Sequence, residues 1–278
     1  MKRLAIILLV GILVLLTAGF GLKSYYKDRI FHPVTEAADP AAAPFPVELV
    51  TVDSDGLALQ SWWHAPADGE RTVLYLHGNS KNVGEYIRGA RPLVEAGYGV
   101  LMLEYRGYGG NPGELSDEGL IRDGLAALDW LAARGIAPET VAVYGYSLGT
   151  GVAVPLAAAR DVAAVILAAP FASIAEMGYR SYPRWFVDLL LDDRFDSIDR
   201  MGAVEEPVLI IHGSADGLIP LSQSARLAAA APDGRVTRHV IDGASHGWDL
   251  FEPAGNALIL DFLDGLQDSA PTRRASAG

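Results

Sequence analysis

The pentapeptide Gly145-Tyr146-Ser147-Leu148-Gly149 constrains this chain more than any other stretch, and it does so through its flanks. Residues 140–144 are a short apolar run that reads as a buried strand. Residues 150–160 are rich in Ala, Gly and Val and read as a helix. A serine between a strand and a helix sits on a sharp turn, which the flanking glycines make sterically possible. Its hydroxyl then stands exposed at the sheet edge, and the start of the helix points free N–H groups at whatever is bound there. A glycine-rich strand-to-helix loop can also carry a serine by chance. The meaning of this one therefore depends on what the fold brings beside it.

The rest of the chain repeats the same rhythm. Residues 47–52 and 57–63 predict two strands of a hairpin around Asp53-Ser54-Asp55-Gly56. Apolar strands follow at 71–76, 98–104, 162–168, 207–211 and 236–241. Helices alternate with them at 82–96, 117–134, 222–231 and 248–266. Ser116 caps the second of these, with acidic residues in its first turn. Nearly continuous apolar strands alternating with helices predict an α/β fold, a mostly parallel sheet covered on both faces. Residues 171–206 interrupt the rhythm with aromatics, charges and Pro183, and predict an inserted cap of short helices. Pro155 falls inside the helix after Ser147, where it removes a backbone bond. The main domain spans 47–267, and 268–278 reads as a polar, disordered tail.

The N-terminus is different. Lys2 and Arg3 precede an uncharged run over residues 4–22, about long enough to cross a bilayer. No clear cleavage site follows it, so residues 1–23 are expected to be a retained membrane anchor rather than a signal peptide. The short N-terminal tail puts the domain on the extracytoplasmic side by default. Residues 24–46, with four prolines, read as a linker without regular structure.

Composition removes several classes. A formal net charge of -12 argues against a nucleic-acid partner. With no cysteine, the chain has no disulfide framework, no thiol nucleophile and no thiolate metal site. No His/Asp/Glu cluster has metal-ligand spacing, and the glycine-rich stretch 107–113 lacks the Lys-Ser/Thr of a phosphate loop. No cofactor is expected, and the oligomeric state stays open.

A serine hydroxyl needs a base within hydrogen-bond reach, and the base needs an orienting partner. Ser147, Asp216 and His246 each fall just past the C-terminal end of an expected parallel strand. Those ends share one rim of such a sheet, so residues distant in sequence can converge. Asp242, Asp196 and Asp199 are competing candidates for the acid. His77 and His212 end strands and read as braces for their loops. Glu104 and Arg106 flank a turn and are expected to pair with each other.

Five stretches in order carry a resemblance across residues 47–266. They are Leu76-His77-Gly78-Asn79, Tyr105-Arg106-Gly107-Tyr108-Gly109, the Ser147 pentapeptide, His212-Gly213-Ser214-Ala215-Asp216 with Ile219-Pro220, and Gly243-Ala244-Ser245-His246. Together they resemble serine hydrolases of the α/β-hydrolase superfamily, more narrowly the membrane-anchored branch related to serine-aminopeptidase-like and depalmitoylase-like hydrolases. The resemblance implies that Ser147 attacks an acyl carbonyl, His246 takes its proton and Asp216 orients the imidazole. It further implies that the backbone N–H groups of Leu148 and Asn79 bind the oxyanion. Tyr146, Trp185, Phe186 and Leu218 are expected to line the substrate pocket. The expected substrate is a small-molecule or acylated ester or thioester. An amide or aminopeptidase substrate is the alternative, and a non-catalytic binding protein on the same fold is a third reading.

Overall fold

A computed structural model describes Gly21, Lys27 and residues 30–268. The expected membrane helix therefore lies almost wholly outside the described residues. So does the expected tail, apart from Asp268, which ends the last helix. Among the described residues no helix is long and apolar enough to cross a membrane.

The strands are β1 (Glu48–Ser54), β2 (Leu57–His64), β3 (Thr72–Leu76), β4 (Gly99–Leu103), β5 (Val141–Tyr146), β6 (Ala164–Ala168), β7 (Val208–Gly213) and β8 (Val236–Ile241). They form one 8-stranded sheet in the order β1-β2-β4-β3-β5-β6-β7-β8. β1 and β2 pair antiparallel, as do β2 and β4; from β4 and β3 through to β8 the pairing is parallel. The hairpin turn has positive φ at both Asp55 and Gly56, the geometry that matches strand twist.

Strands β3 to β7 are buried at every position because helices cover both faces. Along β3 the alternation sends Leu74 and Leu76 to one core and Val73 and Tyr75 to the other. The first face is covered by α2 (Asp117–Ala132) and α3 (Leu148–Ala159), the second by α1 (Val83–Glu95) and α8 (Ala254–Asp268). In α1 the buried residues Val83, Tyr86, Ile87, Ala90 and Leu93 fall on one stripe at helical spacing. Asn82 caps it, accepting from the Glu85 N–H at 3.3 Å; Ser116 caps α2 through the Gly119 N–H at 3.0 Å.

The expected cap is a run of short helices, α4 (Ile174–Tyr179), α5 (Arg184–Leu190) and α6 (Ser197–Arg200), ahead of β7. α7 (Leu221–Ala230) links β7 to β8.

Three expectations are corrected. The helix expected over 248–266 is broken: a 3-10 turn at Trp248–Leu250 precedes α8, which starts only after Pro253. Proline lacks the N–H a continuous helix requires and pushes the preceding residue out of the α region. Second, the described part of the segment expected to be a linker, from residue 30 on, is docked on the domain. A 3-10 turn there, Pro40–Ala42, is capped by Asp39. Phe31 is buried edge-on against Phe195, ring centroids 6.0 Å apart, while Ala38, Ala43 and Phe45 pack on the other core.

Third, Glu104 and Arg106 do not pair. Arg106 is buried and binds Asp123 of α2, Nη2 to Oδ1 at 2.7 Å and Nε to Oδ1 at 3.0 Å, with Asp55 at 3.1 Å. Asp123 has no exposure, so its charge needs a partner that can span both oxygens, which a guanidinium does. Glu104 instead accepts from the Val83 N–H at 2.9 Å, at the start of α1, where the helix dipole favours an anion. Asp123→Ala would leave Arg106 buried without its main partner. We expect a stability loss of about 3–5 kcal/mol in urea denaturation, and a clearly smaller loss for Asp55→Ala, whose carboxylate is screened by solvent. Equal losses for the two variants would show that burial does not set the strength of this network.

Candidate active site

Ser147 lies between the end of β5 and the first turn of α3, at φ 49° and ψ -114°. That is a region residues with a side chain rarely adopt, so the surroundings must hold it there. The Ser147 N–H bonds to the Ala168 carbonyl at the end of β6, at 2.9 Å, and its own carbonyl accepts from the Thr150 N–H and hydroxyl at 2.9 and 2.6 Å. The glycines are required by contact. A Cβ on Gly149 would lie 2.0 Å from the Leu76 carbonyl oxygen, and one on Gly145 would lie 2.5 Å from the Gly149 carbonyl oxygen. Their absence lets α3 start directly behind the turn, two residues earlier than the sequence pattern suggests, at Leu148.

The three expected residues meet at the C-terminal rim of the sheet. Ser147 Oγ is 2.9 Å from His246 Nε2, and His246 Nδ1 is 2.7 Å from Asp216 Oδ2. With Nδ1–H donating to the carboxylate, Nε2 is left to accept the serine proton. The His246 ring stacks on Tyr146, centroids 5.6 Å apart, and the Tyr146 hydroxyl donates to the His246 carbonyl at 2.6 Å. Asp249 closes the same loop by accepting from the N–H and hydroxyl of Ser245, both at 2.7 Å.

Asp216 is fully buried at its side chain. Its Oδ1 accepts from the N–H groups of Leu218 at 2.9 Å and Ile219 at 2.8 Å, and its Oδ2 also faces His212 Nε2 at 3.2 Å. Burial alone would raise the carboxyl, but the hydrogen bonds from His246, Ile219 and Leu218 outweigh it and hold the group below the usual carboxylate range. His212 is itself kept neutral by burial, its Nε2–H also reaching the Ile219 carbonyl at 2.9 Å. Two of the competing acids are engaged elsewhere. Asp242 accepts from Ser214 Oγ at 3.0 Å, and Asp196 binds Ser173 and Arg194.

Ser147 opens onto a cavity of about 660 Å³, which Leu148 and Asn79 also line. Tyr146 and Leu218 line it as expected; Trp185 and Phe186 do not. Trp185 sits on the outer face of α5, 68% exposed. Phe186 lines a second, smaller apolar cavity of about 180 Å³ under the cap, with Tyr182, Val187 and Leu190. The aromatic spacing of α5 could not show which ring turns inward, because that depends on how the cap sits on the sheet. Sequence reasoning also missed Ile30 and His32 from the N-terminal segment, and Ile174, Met177 and Trp248, all lining the Ser147 cavity. Among the described residues no group of His, Asp and Glu is placed to hold a metal ion.

The fold and this rim of serine, histidine and carboxylate define a class, and comparison with known proteins agrees. Residues 67–194 match the family model for serine aminopeptidase, S33. The chain is 35% identical over 254 residues to the uncharacterized protein Rv2307c of Mycobacterium tuberculosis, covering 88% of this chain and 90% of that one. It is 36% identical over 162 residues to human alpha/beta hydrolase domain-containing protein 17B, covering 56% of this chain and 54% of that one. The structure of the esterase Pf2001 from Pyrococcus furiosus superposes with a TM-score of 0.69 at 21% identity, covering 84% of this chain and 97% of that one. The protein belongs to the α/β-hydrolase superfamily and is an α/β-hydrolase enzyme.

The environment of Asp216 sets a pH dependence. Its folded value lies below the unfolded one, about 3.9, so its contribution to stability is full above that pH and is lost as pH falls through the folded value. The difference in Tm between wild type and Asp216→Asn should therefore be largest near neutrality and shrink below about pH 4. A difference that stays constant down to pH 3 would mean that the bonds to Asp216 do not favour its ionised form.

Proposed function

We propose that this protein is a serine hydrolase that cleaves carboxylic esters or thioesters through an acyl-enzyme on Ser147. The observation that carries the reading is the relay itself: Ser147 Oγ on His246 Nε2 at 2.9 Å, with Nδ1 of the same ring on the buried Asp216 carboxylate at 2.7 Å. As Ser147 Oγ attacks the acyl carbon, its proton passes to Nε2, and Asp216 stabilises the imidazolium that forms. The carbonyl oxygen becomes an oxyanion, held by the N–H groups of Leu148 and Asn79. Each donor contributes about 3–4 kcal/mol in the transition state. The bond from the acyl carbon to the leaving oxygen or sulfur then breaks, and the leaving group takes the proton from Nε2. Water attacks the acyl-enzyme by the same route and releases the acid.

The ester or thioester reading is favoured over the aminopeptidase one by what surrounds the site. A free amino terminus needs a carboxylate to receive it. Glu176 is bound by Arg226, Asp188 by Tyr179 and Arg194, and Asp193 accepts from the Asp117 N–H. None of them lines the Ser147 cavity. Its walls include Ile30, Leu148, Phe171, Ile174, Met177 and Leu218, which suit an uncharged acyl group. We further propose that residues 4–22 tether the domain to a membrane, on its extracytoplasmic side. Carbonate extraction should leave the full chain in the membrane pellet, and its release would refute the tether.

A fluorophosphonate probe should label the wild type and leave Ser147→Ala unlabelled. On p-nitrophenyl esters and acyl thioesters, Ser147→Ala and His246→Ala should each lose about a million-fold in kcat, and Asp216→Asn about ten-thousand-fold. A folded wild type that neither labels nor turns over any acyl substrate would shift the reading to a binding protein on this fold.

A further inference from the structure

We propose that the N-terminal segment over residues 30–38 is a working part of the active site: a strap that positions the oxyanion loop through the Asn79 side chain and walls the acyl cavity with Ile30. The proposal rests on the Ser147 acyl-enzyme reading and says what that site requires beyond its triad.

Asn79 has two separate tasks. Its main-chain N–H is the proposed oxyanion donor, while its side chain is occupied by the strap. Nδ2 donates to the Ile30 carbonyl at 2.5 Å, and Oδ1 accepts from the His32 N–H at 2.9 Å. The same Oδ1 accepts from the Tyr108 hydroxyl at 2.7 Å and from the Ser80 N–H at 3.0 Å. The Asn79 carbonyl accepts from the Tyr86 hydroxyl at 2.5 Å. The loop cannot hold itself. It follows the last residue of β3, has no ladder partner of its own, and carries Ser80 at φ 70°, in the left-handed region.

The strap is fixed independently of the staple, at Phe31 between its two residues and again beyond it. Phe31 is buried against Phe195. Further along, the Val34 carbonyl accepts from the Gly109 N–H at 2.8 Å, and the Glu36 carbonyl from Asn82 Nδ2 at 2.9 Å. It is therefore a rigid reference for the loop. Two of its bonds meet at the one loop residue whose N–H has to face the oxyanion. An oxyanion donor acts only within a narrow range of distance, and an error of about 1 Å can cost about a hundredfold in rate. Ile30 adds the second role. It lines both the Ser147 cavity and the apolar cavity under the cap, so its size governs how far an acyl chain can extend between them.

The test uses full-length protein. Asn79→Ala keeps the oxyanion N–H and removes the staple. We expect kcat to fall about 10- to 100-fold with little change in KM. Affinity for a trifluoromethyl ketone, which adds Ser147 to form an oxyanion, should fall by the same factor as kcat/KM. Circular dichroism should stay native and the fluorophosphonate should still label Ser147. His32→Pro deletes the strap-side N–H with Asn79 intact and should give a smaller loss of the same kind; it carries the test if Asn79→Ala does not fold. Ile30→Trp should move the preferred p-nitrophenyl ester toward shorter acyl chains. A folded Asn79→Ala with wild-type kcat and ketone affinity, or a loss confined to KM, would overturn the positioning role. An unchanged chain-length profile for Ile30→Trp would overturn the wall. A wild type that neither labels nor turns over esters overturns the acyl-enzyme reading first, and the proposal with it.

Discussion

The close approach of Gly149 to the Leu76 carbonyl is the constraint on which this active site depends. No other residue type could stand there, since a single added carbon would lie 2.0 Å from that oxygen. The contact sets the first turn of α3 directly against the end of β3. Leu148 and Asn79, from different parts of the chain, line one cavity. The contact also forces the unusual backbone of Ser147, which costs of order 1–3 kcal/mol. The core offsets that cost. Every residue of α3 from Leu148 to Ala157 is buried, and the helix is held between the sheet and α2. A nearly all-apolar helix at this position therefore stabilises a strained turn that no local sequence preference would hold.

The electrostatics follow from the same rim. A buried carboxylate is costly unless hydrogen bonds replace its lost water. Asp216 is compensated by the N–H groups of Leu218 and Ile219 and by the rings of His246 and His212. The two main-chain donors come from the residues just after it, so the loop folds around its own charge. His212 has a further consequence. Because burial keeps it neutral, it adds a hydrogen bond without adding a positive charge that would compete with the imidazolium forming on His246.

What was legible in the sequence, and what was not, divides along a physical line. Strand periodicity, the glycine pair around Ser147 and the order of Ser147, Asp216 and His246 are local signals. A parallel sheet converts positions at strand ends into neighbours without further information. Alternation placed β8 at its observed bounds, Val236–Ile241. Apart from the local helix break at Pro253, the failures concern which distant surface a side chain meets. Arg106 passes over Glu104 for Asp123, because the fully buried aspartate on α2 takes two guanidinium bonds while the equally buried Glu104 is held by the Val83 N–H. Phe186 turns into the cap while Trp185 turns out, although both are aromatic and adjacent. The prolines at 33, 40, 44 and 46 say nothing about Phe31 reaching the core.

These two kinds of information also divide the labour of the site. The groups of the proposed relay stand at the ends of β5, β7 and β8; β5 and β7 are buried at every position, while β8 is the partly exposed edge strand. The walls of the cavity come from segments outside those strands: Ile30 from the N-terminal strap, Ile174 and Met177 from the cap, and Trp248 from the turn before α8. Ile30, Ile174, Met177 and Trp248 shape the cavity without bonding to Ser147, His246 or Asp216, unlike Leu218, whose N–H holds Asp216. The proposed oxyanion loop is the exception, because the Asn79 side chain ties it to the strap, a wall segment. In the proposed reaction, acyl-group selectivity and transition-state stabilisation would therefore be coupled where Ile30 and Asn79 meet.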